Sequence, residues 1–262
     1  MKRLLVPLFA LGILLSACSP VDSDSGPIKL GYIGPLTGEA ASYGKDTLNG
    51  ALLAINEINE AGGVNGRMIE LIAEDGRCTG TDAASAAQKL VNVDKVIAII
   101  GGQCSGETLA AAPIAESAQV VMISPISSSP DVTAAGDFIF RDYPSDALKT
   151  KAMAGYFEKE GIKKIAAITE NTDFAVAFRD ALKENIGDAL VFDEMVEPGT
   201  KDFRSLMARL KDEDFDAFFP NGQTPAAMAA MMQQLREQGL TQLAISHDVA
   251  QDSSMFEIAP DA

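Results

Sequence analysis

The chain has 262 residues, 47% of them hydrophobic and 22% charged, which suits one or two globular domains with a sizeable core and excludes a disordered polymer. Its formal charge is −16 at pH 7, so the phosphates of a nucleic acid would repel it and that class of partner is excluded. The acidic excess otherwise reads as solvated surface.

The chain opens on MKRLLVPLFALGILLSACSP, with a basic start, an apolar run from Leu4 to Leu15 and small residues before Cys18. This is the layout of a secretory signal, and the run is too short to span a bilayer comfortably. Leu15-Ser16-Ala17-Cys18 resembles a bacterial lipobox. That resemblance implies cleavage of residues 1–17, acylation of Cys18 and lipid anchoring to a membrane on its periplasmic or extracellular face. Losing Lys2 and Arg3 with the leader takes the charge from −16 to −18. Residues 18–27 then read as a flexible tether.

From Ile28 onward, strand-like and helix-like segments alternate. Ile28 to Ile33 reads as a strand, GPLTGEAASYG as a loop, and Lys45 to Glu60 as a helix with Leu48, Leu52, Ile55 and Ile58 at helical spacing and a stop at Ala61-Gly62-Gly63. A strand over 69–75 precedes a helix capped by Asp82 and running to about Val93. Val96 to Ile100 is a short β-branched run of the kind buried on both faces. Gly101 and Gly102 then turn the backbone, and Ser105 falls at the cap or first turn of the next helix. Free N–H groups and a hydroxyl at a helix start suit an anion such as a carboxylate.

Strands over 120–123 and 138–141 follow, separated by the hydroxyl-rich loop SPISSSPD. A helix starts at Pro144-Ser145-Asp146 and runs to about Glu160. Strands over 164–169, 190–196, 217–220 and 242–246 then alternate with helices over 174–185, 203–210 and 225–238. Such alternation predicts parallel sheets flanked by helices, with a hinge between two Rossmann-like units at Arg141 to Asp146. The methionines of 228–232 read as helix packing. No GxGxxG spacing or Walker lysine is present, so no cofactor is expected.

Of the three cysteines, Cys78 and Cys104 remain once Cys18 is assigned to lipid. In an exported protein an even remainder argues for a disulfide, with two free thiols as the alternative. Structural zinc is not expected, because the single His247 and two isolated cysteines give no ligand spacing. Gly102-Gln103-Cys104-Ser105-Gly106 also imitates a nucleophile elbow, and a Cys–His hydrolase using Cys104 and His247 is the competing enzyme reading. It needs a free Cys104 thiol.

LGYIGPLTGEAASYGKDTLNGALLAINEINEAGGVNGRMIELIAEDGRC, with GGQCSGETLAAAPIAE, VMISPISSSP and FRDYPSD, closely resembles the branched-chain amino acid (Leu/Ile/Val) ABC transporter substrate-binding proteins. The resemblance runs from Ile28 to the C-terminus. It implies a type I periplasmic binding protein fold, with an N-terminal lobe of 28–142 and a C-terminal lobe of 143–262 closing on a small amphipathic ligand. It also implies a Cys78–Cys104 disulfide. Ser105, Ser127 and Ser128 match positions that hold the ligand's carboxylate, Tyr43 and Phe174 match aromatic positions that pack on it, and Asp248 matches the acid that meets its ammonium. Gln223 matches a further contact, although FFPNGQTPA departs from the family pattern there.

The chain ends at IAPDA, where family members continue through a return crossover, so an incomplete fold with exposed apolar surface and an unpaired sheet edge is expected. The function so implied is not enzymatic. A monomeric extracytoplasmic lipoprotein captures an apolar, branched-chain or similar amino acid and delivers it to an ABC permease. A binder or sensor of amides, urea or aromatic acids on the same fold is the near alternative.

Overall fold

The computed structural model describes residues 26–260. The leader, the lipobox with Cys18 and most of the tether lie outside the described residues. Two parallel sheets flanked by helices follow each other along the chain. The first has the order β2-β1-β3-β4-β5, with β1 (Ile28–Gly34), β2 (Ile69–Asp75), β3 (Ala98–Ile100), β4 (Val121–Ser124) and β5 (Ile139–Arg141). The second has the order β7-β6-β8-β9, with β6 (Ile165–Glu170), β7 (Leu190–Val196), β8 (Ala217–Asn221) and β9 (Leu243–Ala244). The connection between the sheets runs from Arg141 to the start of α4 (Asp146–Glu160), where the hinge was expected.

In the first lobe, β1 pairs with both β2 and β3, as Gly31 aligns with Ile72 and with Ile99. One face of this sheet, carrying Ile99, Met122 and Ile139, is closed by the alanine-rich sides of α2 (Gly80–Lys89) and α3 (Ser105–Ser117). On the other face α1 (Ala41–Glu60) packs on β1 and β2, while Ile123 and Phe140, neighbours in the strand register, stay 44% and 50% exposed. The apolar exposure expected of this lobe is therefore present. The second lobe is buried on both faces. Ala166, Ile168 and Phe218 pack with Met231, Met232 and Leu235 of α7 (Pro225–Glu237) and with Met207 of α6 (Arg204–Leu210), and Ala167 and Phe219 pack with Phe174 and Phe178 of α5 (Asp173–Ile186). The clustered methionines thus serve as packing.

Several boundaries differ from expectation for local reasons. Helix α1 begins at Ala41, so Tyr43 and Gly44 lie in its first turn rather than in a loop. Gly44 is needed for close packing, since a Cβ there would come within 2.0 Å of the Pro35 carbonyl oxygen. Thr79, not Asp82, caps α2, its hydroxyl accepting from Asp82 N at 3.2 Å. That helix ends at Lys89 in a widened turn over 90–94, closed by Lys95 in the left-handed region. A last short helix, α8 (Ser253–Ile258), was not anticipated.

Candidate functional site

Each sheet reverses its strand order beside a central strand, at β1/β3 and at β6/β8, and the crevices at the carboxyl ends of such strands are where α/β folds hold ligands. The turn after β3 and the loops after β6 and β8 meet there around a cavity of about 210 Å³, with walls from both lobes. The first lobe contributes Tyr43, Gln103, Cys104, Ser105, Ile126 and Ser128, and the second contributes Tyr143, Phe174, Gln223, Asp248, Val249 and Gln251.

Of the sequence-predicted residues, the structure brings Tyr43, Ser105, Ser128, Phe174, Gln223 and Asp248 to this cavity. Ser105 is the first residue of α3, with Cys104 in the cap position. Its hydroxyl oxygen accepts from Ser129 N at 3.2 Å, which leaves the O–H proton to donate beside a helix N-terminus. Ser127 is not brought to the cavity wall. Its hydroxyl lies behind the turn, donating to the carbonyls of Gly102 and Gln103 at 3.2 and 3.0 Å and meeting the Thr108 hydroxyl at 2.6 Å. It therefore braces the turn.

Cys78 and Cys104 are joined in a disulfide, with Cα atoms 5.3 Å apart. The hydrolase arrangement consequently has no thiol. Nor does His247 face one: it is 6% exposed, ringed by Phe174, Phe178 and Phe219 with centroids 5.0 to 6.0 Å away, and neither ring nitrogen has a partner among the described residues. Burial lowers its pKa from 6.5 to about 4.

Two residues that sequence reasoning missed organise the site's charge. Lys149 of α4 lies 2.9 Å from Asp248 Oδ1 and 3.1 Å from Asp146 Oδ1, the second an ion pair by distance without hydrogen-bond alignment. Asp248 also accepts a hydrogen bond from the Tyr143 hydroxyl. Burial opposes charge on Asp248, yet Tyr143 and Lys149 outweigh it and hold its pKa below the usual carboxylate range. Asp146 is fully buried, and burial raises its pKa despite Lys149. Lys149 and Asp146 lie at i,i+3 on a helix opening Ser-Asp-x-x-Lys, which reads as an ordinary capped first turn. Nothing local shows that Asp248, far along the chain, meets them.

Glu107 was also missed. Its carboxylate accepts from the backbone N–H of Cys78, Gln103 and Cys104 at 2.9, 2.9 and 3.1 Å, tying the disulfide loop to the turn after β3. The spacing Cys104-x-x-Glu107, an N-cap followed by a glutamate, was the available signal. Among the described residues no helix is long and apolar enough to cross a membrane, and no group of three His, Cys, Asp or Glu could hold a metal ion.

A family described as periplasmic binding protein matches residues 27–261. An amino acid binding protein of Pseudomonas aeruginosa is 33% identical over 250 residues, covering 92% of this chain and 67% of that protein. The branched-chain amino acid transporter substrate binding protein of Streptococcus pneumoniae, solved in complex with isoleucine, superposes with a TM-score of 0.81 at 31% identity, covering 89% of this chain and 67% of that one. A solute binding protein of an ABC transporter from Rhodopseudomonas palustris, in complex with 3,4-dihydroxybenzoic acid, gives 0.74 at 29% identity, with coverages of 86% and 63%. This chain spans 59 to 67% of the length of the curated relatives it matches.

Proposed function

The chain belongs to the periplasmic binding protein family, and on that premise we propose that it captures a free amino acid between lobes of 28–142 and 143–262 and delivers it to an ABC permease. It does so as a monomer anchored through Cys18 outside the cytoplasm. Closure about Arg141 to Asp146 is a population shift driven by a ligand that touches both lobes. No bond is made or broken.

The observation that carries this reading is the split of charge across the cavity. On the first-lobe side, Ser105 and Ser128 stand at the start of α3 and in the loop after β4, an anion site built from dipoles and hydroxyls without a cation. On the second-lobe side, Asp146 and Asp248 share the single ammonium of Lys149. Asp248 keeps its charge and is the carboxylate of the cavity wall, where an α-ammonium group would meet it on burial. A zwitterion with a side chain against Phe174 and Ile126 satisfies both ends.

A second reading, capture of an aromatic acid, is favoured by the rings of Tyr43, Tyr143 and Phe174 in the wall and by the dihydroxybenzoate relative. Such a ligand has no ammonium. Titration calorimetry with Asp248→Asn separates the two: amino-acid affinity should fall by about 10- to 100-fold, as for a buried charge left unpaired, while benzoate affinity should hold or rise. Unchanged amino-acid affinity in Asp248→Asn would remove the ammonium role.

A further inference from the structure

The chain enters the first lobe at the pole opposite the ligand cavity. The strands of that sheet are parallel, and the segments that follow β1, β3 and β4 bear the cavity residues Tyr43, Ser105 and Ser128, whereas β1 starts at Ile28, at the far end. There the Arg67 guanidinium donates to the carbonyls of Gly26 and Pro27 at 2.9 and 3.4 Å and holds the entering chain against the turn before β2.

The same pole carries exposed apolar side chains. The Ile28 N–H donates to the Met68 carbonyl at 2.8 Å and the Ile97 N–H to the Lys29 carbonyl at 3.0 Å, so Met68 and Ile97 flank the start of β1 on its two sides. Gly31 aligns with Ile72 and Ile99, and two residues earlier Lys29, Glu70 and Ile97 therefore share the side of the sheet that bears Ile99. Val93 joins them from the widened turn over 90–94, because Lys29 Nζ donates to the carbonyl of the next residue, Asp94, at 3.5 Å. Met68, Ile97 and Val93 are 47%, 64% and 72% exposed. Although the whole chain carries −16, segments 26–29, 64–70 and 93–97 hold Lys29, Arg67 and Lys95 against Glu70 and Asp94, and Asp94 also meets Lys89 at 3.1 Å. An anionic surface would not repel this pole.

We infer that this pole rests on the lipid bilayer, with Met68, Val93 and Ile97 set among the headgroups. The inference rests on anchoring through Cys18 as proposed above and adds a protein surface to that anchor. The tether names the occupant: from Cys18 to Gly26 the chain spans at most about 30 Å, so acylation holds this pole beside lipid at high effective concentration. Three apolar side chains without a long hydrophobic face make a weak, reversible contact. The parallel strands then aim the cavity away from the bilayer, open to solute, and docking on a permease has to lift the pole from the membrane.

The full chain, acylated in cells and reconstituted into phosphatidylethanolamine–phosphatidylglycerol vesicles that contain a phospholipid with a diazirine near its headgroup, tests this. After irradiation, lipid adducts mapped by mass spectrometry should fall on 64–68 and 93–97 about 5-fold more often than on Leu53 and Leu148, comparably exposed apolar residues elsewhere. Met68→Ser/Ile97→Ser should bring those segments down to the control level while the chain still pellets with the vesicles. Adducts spread evenly, concentrated at Ile123 and Phe140, or absent from a pelleting chain overturn the inference and leave the anchor standing. A chain that stays in the supernatant with no acyl mass on its N-terminal peptide overturns both. Should the double variant fail to fold, the adduct map of the parent decides the matter.

Discussion

His247 sits in a ring of three phenylalanines with no partner for either nitrogen among the described residues, one residue from the acid that faces the cleft. Burial dominates its titration, with the Asp248 carboxylate favouring the charged form and the Lys149 ammonium opposing it. Its folded pKa of about 4 lies below the ordinary 6.5, so between these values the unfolded chain binds the proton that the folded one refuses. The neutral ring's contribution is complete above pH 6.5 and is lost as pH falls towards 4, amounting to about 3 kcal/mol. Glu107, Glu170 and Asp146 work the other way, because burial raises their folded pKa values and acid favours their folded forms. A single melting curve mixes these effects, so the decisive quantity is the difference between the parent and His247→Phe. Denaturant midpoints taken from pH 7 to 4 should fall less steeply in the variant. Parallel curves would mean that His247 takes up its proton as freely folded as unfolded.

The strand, turn and helix over 98–117 carry the site's first half, and much of that unit was legible. A β-branched run, two glycines and a serine at the next helix start are local signals, and they placed β3, the turn and Ser105 at the head of α3. Gly101 shows why the turn demands glycine: its φ is +137°, and a Cβ would come within 2.1 Å of the Ile33 carbonyl oxygen. What was not legible is what braces the turn, because Glu107 acts on backbone donors brought together by folding. Replacing it with alanine leaves one buried N–H group, that of Gln103, and two partly buried ones, those of Cys78 and Cys104, without that acceptor, at about 1–3 kcal/mol for a buried one left unsatisfied. Glu107→Ala should thus lower stability by about 1–3 kcal/mol in chemical denaturation, and Glu107→Gln, which keeps one oxygen, by less. A loss under 1 kcal/mol in the alanine variant would show that water replaces the carboxylate. Elements whose limits depend on distant partners read less well: α1 starts early because Gly44 packs on Pro35, and the Asp146–Lys149–Asp248 cluster joins two elements remote in sequence.

At the scale of the molecule, alternating short apolar strands and amphipathic helices dictated two parallel sheets, but not how completely each is covered. The second lobe encloses its sheet between α6 and α7 on one side and α4 and α5 on the other. The first lobe closes one face with α2 and α3 and only part of the other with α1, and Ile123 and Phe140 lie half exposed where β4 meets β5, the edge strand. Adjacent exposed apolar side chains beside a sheet edge that has no further strand among the described residues form a surface that associates readily. The lobes also touch through Lys201 and Glu39, 2.9 Å apart, a solvent-exposed pair that contributes little. The apolar face, not the charged contact, should therefore govern behaviour in solution. The double variant Ile123→Ser/Phe140→Ser should lose binding of a hydrophobic dye and any concentration-dependent sedimentation of the parent. Because both side chains already meet water, its stability should change by less than about 1 kcal/mol, and its ligand affinity should stay the same. A parent that neither binds dye nor associates would mean that this face is not sticky, and a large stability loss in the variant would mean that these side chains are packed.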